Sequence, residues 1–213
     1  MELGQLTNIT TLSLYRNKLT GTLPPEIGQW ANLVVKLFLQ NNILQGPLPT
    51  EIGLLTKLSA LYMNYNDFTG PLPSEIGYLT NLIDFRANSN RLFGTVPTEI
   101  GFLTGLTVLV LWENQLTGAL PTEIGNLKNM ALFAASTNHF NGTLPAEIGY
   151  LTNLTKLYLH DNQLTGLLPT EIGFLTILND FQIQSNMFTG AIPTEIGLMS
   201  SLSKCCLSET YIS

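Results

Sequence analysis

Few side chains in this 213-residue chain could do chemistry. Cys205 and Cys206 are adjacent, which offers neither a disulfide framework nor the CxxC spacing of a metal or redox site. The two histidines, His139 and His160, fall at different positions of the repeat described below, so they do not form a ligand pair. Glu113 and Asp161 share one repeat position two units apart. On strand spacing they stand roughly 9–10 Å apart, at the edge of the range for an inverting glycosidase. No apolar pocket that would shift either pKa can be read around them, and no nucleophile, metal cluster or phosphate loop accompanies them. Neither catalysis nor a cofactor is expected. What remains is a set of large contact-forming groups: Tyr62, Tyr65, Arg86, Trp112, Tyr158 and His160. Exposed Tyr, Trp and Arg dominate binding hot spots, so these six are the candidate ligand-binding residues, provided that something aligns them.

A repeat does. Glu-Ile-Gly recurs at 26–28, 51–53, 75–77, 99–101, 123–125, 147–149, 171–173 and 195–197, with a period of 24 and one step of 25. The full unit reads LxxLxLxxNxLTGxLPxEIG, as in Leu106 to Gly125. Pairs such as Leu12 and Leu14, or Leu157 and Leu159, have the period-2 spacing of a short strand with apolar side chains inward, and stacked units then make a parallel sheet. The residues between and after those leucines face outward in columns. One column runs Ser13, Phe38, Tyr62, Arg86, Val110, Ala134, Tyr158, Gln182, and the next carries Trp112 and His160. The six candidates therefore share one face, with the small residues Ser89, Ala134, Ser136 and Thr137 leaving a trough between the Arg86 and Tyr158 sides.

The other repeated positions have structural roles. The asparagines at 17, 42, 66, 90, 114, 138, 162 and 186 are expected to form a ladder, because a buried amide must pair with backbone groups. The glycines of the LTG segment supply unusual backbone angles, and the prolines three residues before each Ile-Gly pair fix the next corner. The Thr-Glu or Ser-Glu that follows, as in Thr98-Glu99, suits the start of a short helix or 3₁₀ turn, the hydroxyl capping free amides and the carboxylate meeting the positive end of the dipole. Phe85, Phe133 and Phe181 alternate with Leu61, Leu109 and Leu157, and Ala87 and Ala135 follow two of the rings. That alternation conserves core volume and indicates a 48-residue double unit.

Composition narrows the partner. Only 11% of residues are charged and the net charge is −6, with nine Lys and Arg scattered along the chain, which argues against a nucleic-acid partner. No run of about 18 apolar residues could span a bilayer, and the first residues have no signal-peptide character.

LTGxLPxEIGxLTNL resembles the plant-type leucine-rich repeat of receptor-like kinases and polygalacturonase-inhibiting proteins, over essentially the whole chain, and also looks like repeat families of some unicellular algae. The resemblance implies an α/β fold: a right-handed solenoid with a concave parallel sheet, short 3₁₀ or helical convex segments, and a small second sheet near LTGxLP. Residues 1–213 would be a single domain of eight full 24-residue repeats with partial repeats at both ends. The implied function is recognition of a protein, peptide or glycan on the concave face, in an extracellular or cell-surface setting. The cysteine-containing caps usual in that family are not seen, so both ends are expected to be covered by missing caps or a partner. Two alternatives stand beside it. One is an ice- or surface-binding solenoid using the threonine columns at 98, 122, 170 and 194 and at 69, 117, 165 and 189; the other is a structural or adhesion scaffold. Sequons at Asn8, Asn141 and Asn153 are candidate glycosylation sites on turns or the convex side, and Lys156, Asp180 and Lys204 read as a solvated charge ladder.

Overall fold

A computed structural model describes residues 9–31, 35–208 and 211–212, the last two as backbone only. Each turn of the chain contributes one short strand, a second short strand and a 3₁₀ segment. The first strands, from Thr11–Ser13 through Lys204–Cys206, pair in parallel and in sequence order to give a nine-stranded sheet that lines the concave face. The second strands, from Thr20–Thr22 through Tyr211–Ile212, make another nine-stranded parallel sheet in the same order. In the first sheet Leu109 stands opposite Phe133, and Phe133 opposite Leu157. All three are buried between the sheets, and Ala87 and Ala135 fill the space beside the rings, so the alternation of volumes holds.

The asparagine ladder takes the expected form. Asn114 Nδ2 donates to the carbonyls of Ala87 and Leu111, both at 3.0 Å, and its Oδ1 accepts the Leu92 N–H at 3.0 Å. One side chain thus ties its own coil to the one before it. Just before it, eight coils each hold a non-glycine residue in the left-handed region: Arg16, Asn41, Tyr65, Ser89, Glu113, Thr137, Asp161 and Ser185 have φ between 53° and 59°. The chain turns out of the strand here, and the ladder asparagine ties the turn down.

On the convex side the capping expectation needs correction. Each 3₁₀ segment, such as Thr98–Phe102 or Thr122–Asn126, is preceded by a proline in extended conformation, and no side chain caps it. The hydroxyl lies one residue inside the first turn, beyond the flanking position from which it could reach a free amide. It donates instead to the next carboxylate, Thr98 Oγ1 to Glu99 Oε2 at 3.3 Å and Thr122 Oγ1 to Glu123 Oε2 at 3.2 Å. The glycine of Glu-Ile-Gly has a separate purpose. A Cβ on Gly77 would lie 2.6 Å from the Glu99 carbonyl oxygen of the next coil, so this column sets how closely coils stack. A second amide ladder, not anticipated from the sequence, runs nearby: Asn81, Asn129 and Asn153 donate to the carbonyls of Thr56, Thr104 and Lys128, each at 2.8 Å.

Candidate ligand-binding face

The candidate site grows from outward side chains of the first sheet. Val110 and Ala134, both small and nearly buried, are flanked by larger groups and leave a trough of about 240 Å³. Tyr65, Arg86, Trp112 and Tyr158 line it. The Tyr65 and Trp112 rings meet edge to face across two coils, with centroids 6.1 Å apart. Tyr65 occupies one of the left-handed positions, which swings its ring off the strand and toward Trp112.

Arg86 is held before any ligand arrives. Asp84 takes two hydrogen bonds from its guanidinium, from Nε at 2.9 Å and from the terminal amine at 3.0 Å, while the guanidinium carbon sits 5.0 Å from the Tyr62 ring centroid. Tyr62 closes the group by donating its hydroxyl to Asp84 at 2.6 Å and packing on Phe38 at 4.9 Å. Burial, with the Asp84 carboxylate added, pushes the Tyr62 phenol above its ordinary value.

A second copy of this arrangement lies further along the sheet. Tyr158 donates to Asp180 at 2.8 Å, and Gln182 donates to the other oxygen of the same carboxylate at 2.8 Å. Burial first, and Asp180 second, push the Tyr158 phenol up to about 12. Asp180 is therefore engaged by Tyr158 and Gln182, which corrects its reading as a rung of a Lys156–Asp180–Lys204 charge ladder.

Four of the six candidate residues thus line the trough and two do not. Tyr62 buttresses Arg86 from behind, and His160 stands edge-on to Tyr158 with ring centroids 6.4 Å apart. Of the four small residues expected beside the trough only Ala134 lines it; Ser89 donates its hydroxyl to Glu113 at 2.9 Å. Asn64, Asn88, Val110 and Leu132 line it as well, and Asn64 Oδ1 is a buried acceptor with no hydrogen-bond partner among the described residues. Asp84 escaped notice in the sequence and Asp180 was not tied to Tyr158, although a signal existed, since each follows its tyrosine by 22 residues and opens an Asp-Phe pair. Glu113 and Asp161 do not line the trough, and Asp161 faces His160 across 3.9 Å.

The Leucine Rich Repeat family model matches residues 8–30, 57–79, 105–127 and 153–175. The chain is a leucine-rich-repeat solenoid. Those matches fall on alternate coils of the solenoid, in step with its 48-residue double unit, which also appears as hydroxyls at Ser59, Thr107, Thr155 and Ser203 donating to carbonyls one coil earlier. Among solved structures the solenoid is similar to the plant peptide hormone receptor RGFR1 in complex with RGF2, at 32% identity and a TM-score of 0.96 over 99% of this chain and 34% of that one. It is similar also to the Arabidopsis receptor kinase HAESA in complex with the peptide hormone IDA and the co-receptor SERK1, at 33% identity and a TM-score of 0.93 over 99% of this chain and 35% of that one. A plant ice-binding protein shares the fold, at 23% identity and a TM-score of 0.80 over 98% of this chain and 67% of that one. The solenoid spans about a third of the length of the two receptor structures. Comparison with curated proteins gave no match.

No helix among the described residues of this leucine-rich-repeat solenoid is long and apolar enough to cross a membrane. Of the three sequons, Asn8 lies outside the described residues. Asn141 is exposed but belongs to the strand His139–Thr143 of the second sheet, which corrects its placement on a turn. Asn153 is exposed on the convex side, where its amide already serves the second ladder.

Proposed function

We propose that this solenoid is a recognition module that takes a protein or peptide segment on its concave face, seated in the trough lined by Tyr65, Arg86, Trp112 and Tyr158. The observation that carries the reading is the convergence of four contact-forming side chains on one hollow, with Arg86 fixed by Asp84 and Tyr62 so that little order is lost on binding. The likeness to peptide-bound receptor structures supports the same reading and an extracellular or cell-surface setting. An ice-binding role finds less support: the threonines before glutamate give their protons to charged carboxylates, and the column of Thr69, Thr117, Thr165 and Thr189 is interrupted by Phe93 and Asn141.

The test is selection of a binding peptide from a random display library, followed by calorimetry with that peptide. Trp112→Ala should weaken binding at least about 30-fold, the equivalent of a 2 kcal/mol hot spot, and Tyr65→Ala should weaken it by a similar factor. Thr122→Ala and Glu123→Ala on the convex side should leave affinity unchanged. The reverse pattern would move the site off the concave face.

A further inference from the structure

The convex face carries a pattern that the repeat does not need. The position after each Glu-Ile-Gly holds Leu54, Tyr78, Phe102, Tyr150, Phe174 or Leu198, and each of these is 52–58% exposed. Such a row of outward apolar groups gains nothing from the core. It is broken twice, at Gln29 in the first coil and at Asn126. In the Asn126 coil Lys128 replaces the residue that is Thr56, Thr80, Thr104, Thr152 and Thr176 in five other coils. These two departures, Asn126 and Lys128, are separated only by the buried Leu127, and both line a hollow of about 620 Å³ with Gly101, Phe102, Thr104 and Asn129.

We propose that this hollow is a second binding site, and that its ligand is a saccharide. A pyranose ring presents a face of C–H bonds and a rim of hydroxyls that both donate and accept. Phe102 supplies an exposed ring for the first. The Lys128 ammonium, the Asn126 amide and the Thr104 hydroxyl supply polar partners for the second. Asn129 has its amine committed to the Thr104 carbonyl at 2.8 Å, which leaves its Oδ1 as a fixed acceptor. Lys128 makes no ion pair among the described residues, and no carboxylate lines the hollow. Tyr150, one coil beyond Asn126, continues the apolar row and can take the next sugar of an oligomer. A peptide fits this place less well, because the 3₁₀ segments present no strand edge for its main chain to pair with.

The deciding variant restores the pattern of the other coils. Asn126→Tyr with Lys128→Thr places at these positions the residues found at Tyr78, Tyr150, Thr104 and Thr152, so the fold should persist while the hollow is filled. Nuclear magnetic resonance titration of the intact chain with cellohexaose and with an oligo-uronate of equal length is expected to show millimolar binding of at least one, shifting signals of Phe102, Asn126 and Asn129. The double variant should weaken that binding at least about 10-fold. A loss confined to the uronate in Lys128→Thr alone would assign the acidic sugar as the ligand. Trp112→Ala should change nothing here, which separates this site from the concave one. Failure of both oligosaccharides to bind the wild-type chain overturns the proposal, as does binding that survives the double variant or disappears with Trp112→Ala.

Discussion

On the concave sheet, neighbouring coils are joined by backbone bonds such as Leu111 N–H to the Ala134 carbonyl at 2.7 Å. The outward side chains there differ from coil to coil, running Arg86, Val110, Ala134, Tyr158. On the convex side the coils approach through side chain and backbone together, with Gly77 against the Glu99 carbonyl, and Glu-Ile-Gly recurs unchanged. The difference lies in what sets the coil spacing. Where hydrogen bonds between main chains set it, outward residues are free to specialise; where the absence of a side chain sets it, the residue type is fixed. Concave variety is thus room for recognition, and convex uniformity is the geometry of stacking.

The sharpest way to break this contrast is a methyl group. Gly77→Ala forces a Cβ to within 2.6 Å of the Glu99 carbonyl oxygen and 2.7 Å of its Cβ, and should destabilise the chain by about 3 kcal/mol in denaturant unfolding. Gly105→Ala is the control. Its nearest neighbours beyond the adjacent residues would be the carbonyl oxygens of Leu82 and Thr80 at 3.8 and 3.9 Å, so it should be neutral or slightly stabilising. Equal costs at the two positions would show that close approach is not what the Glu-Ile-Gly glycine provides.

The next largest effect belongs to the ladder between the faces. Asn114→Ala leaves the buried Leu92 N–H without its acceptor and takes one amide donor from each of the Ala87 and Leu111 carbonyls, which keep Asn90 and Asn138, and should cost about 2 kcal/mol. Its exposed neighbour Gln115→Ala should cost almost nothing. Both measurements use the same unfolding curve. Similar small losses at the two sites would refute the ladder as a source of stability.

A smaller effect separates the supports of the site from its floor. Tyr158→Phe keeps the ring in the trough but removes the bond to Asp180, for an expected loss of about 1 kcal/mol at neutral pH. The pH dependence has a definite sign. The Tyr158 phenol rises from 10.0 to about 12 on folding, so its contribution is complete below pH 10 and is lost as pH climbs toward 12. Stability measured across that window should fall less steeply in Tyr158→Phe than in the wild type. An unchanged slope would mean that Tyr158 titrates as a free phenol.

The fold could be read from the sequence because the repeat reports each constraint eight times over. The inward leucines, the asparagine ladder and the Phe–Ala compensation are all demanded by a closed interior, and all are found where the spacing puts them. The candidate site was legible only in outline. Outward columns can be assigned from strand periodicity, which collected Tyr65, Arg86, Trp112 and Tyr158, but contacts between columns depend on side-chain length and on the left-handed turn after each strand. That turn is carried here by residues as unlike as Tyr65, Glu113 and Ser185, with no glycine or asparagine signature common to them. The Tyr–Asp pairs, 22 residues apart and one coil distant, were hidden for the same reason.

The smallest expected effect bears on the threonines of the convex face, whose regularity invites two competing explanations. A capping hydroxyl satisfies a free amide at a helix start, and its removal costs about 1 kcal/mol. The structure instead gives Thr122 Oγ1 a bond to the Glu123 carboxylate, at 3.2 Å on an exposed surface, where water can replace either partner. Thr122→Ala should therefore change stability by less than about 0.5 kcal/mol, and Thr98→Ala should behave alike, because the same bond recurs there at 3.3 Å. Prolines 97 and 121 supply what the hydroxyls do not, since a fixed φ before each 3₁₀ segment presets the turn without a side-chain cap. Losses near 1 kcal/mol in both threonine variants would restore the capping explanation. They would also place the hydroxyls, alongside Gly77, among the groups that hold the convex face to its repeat.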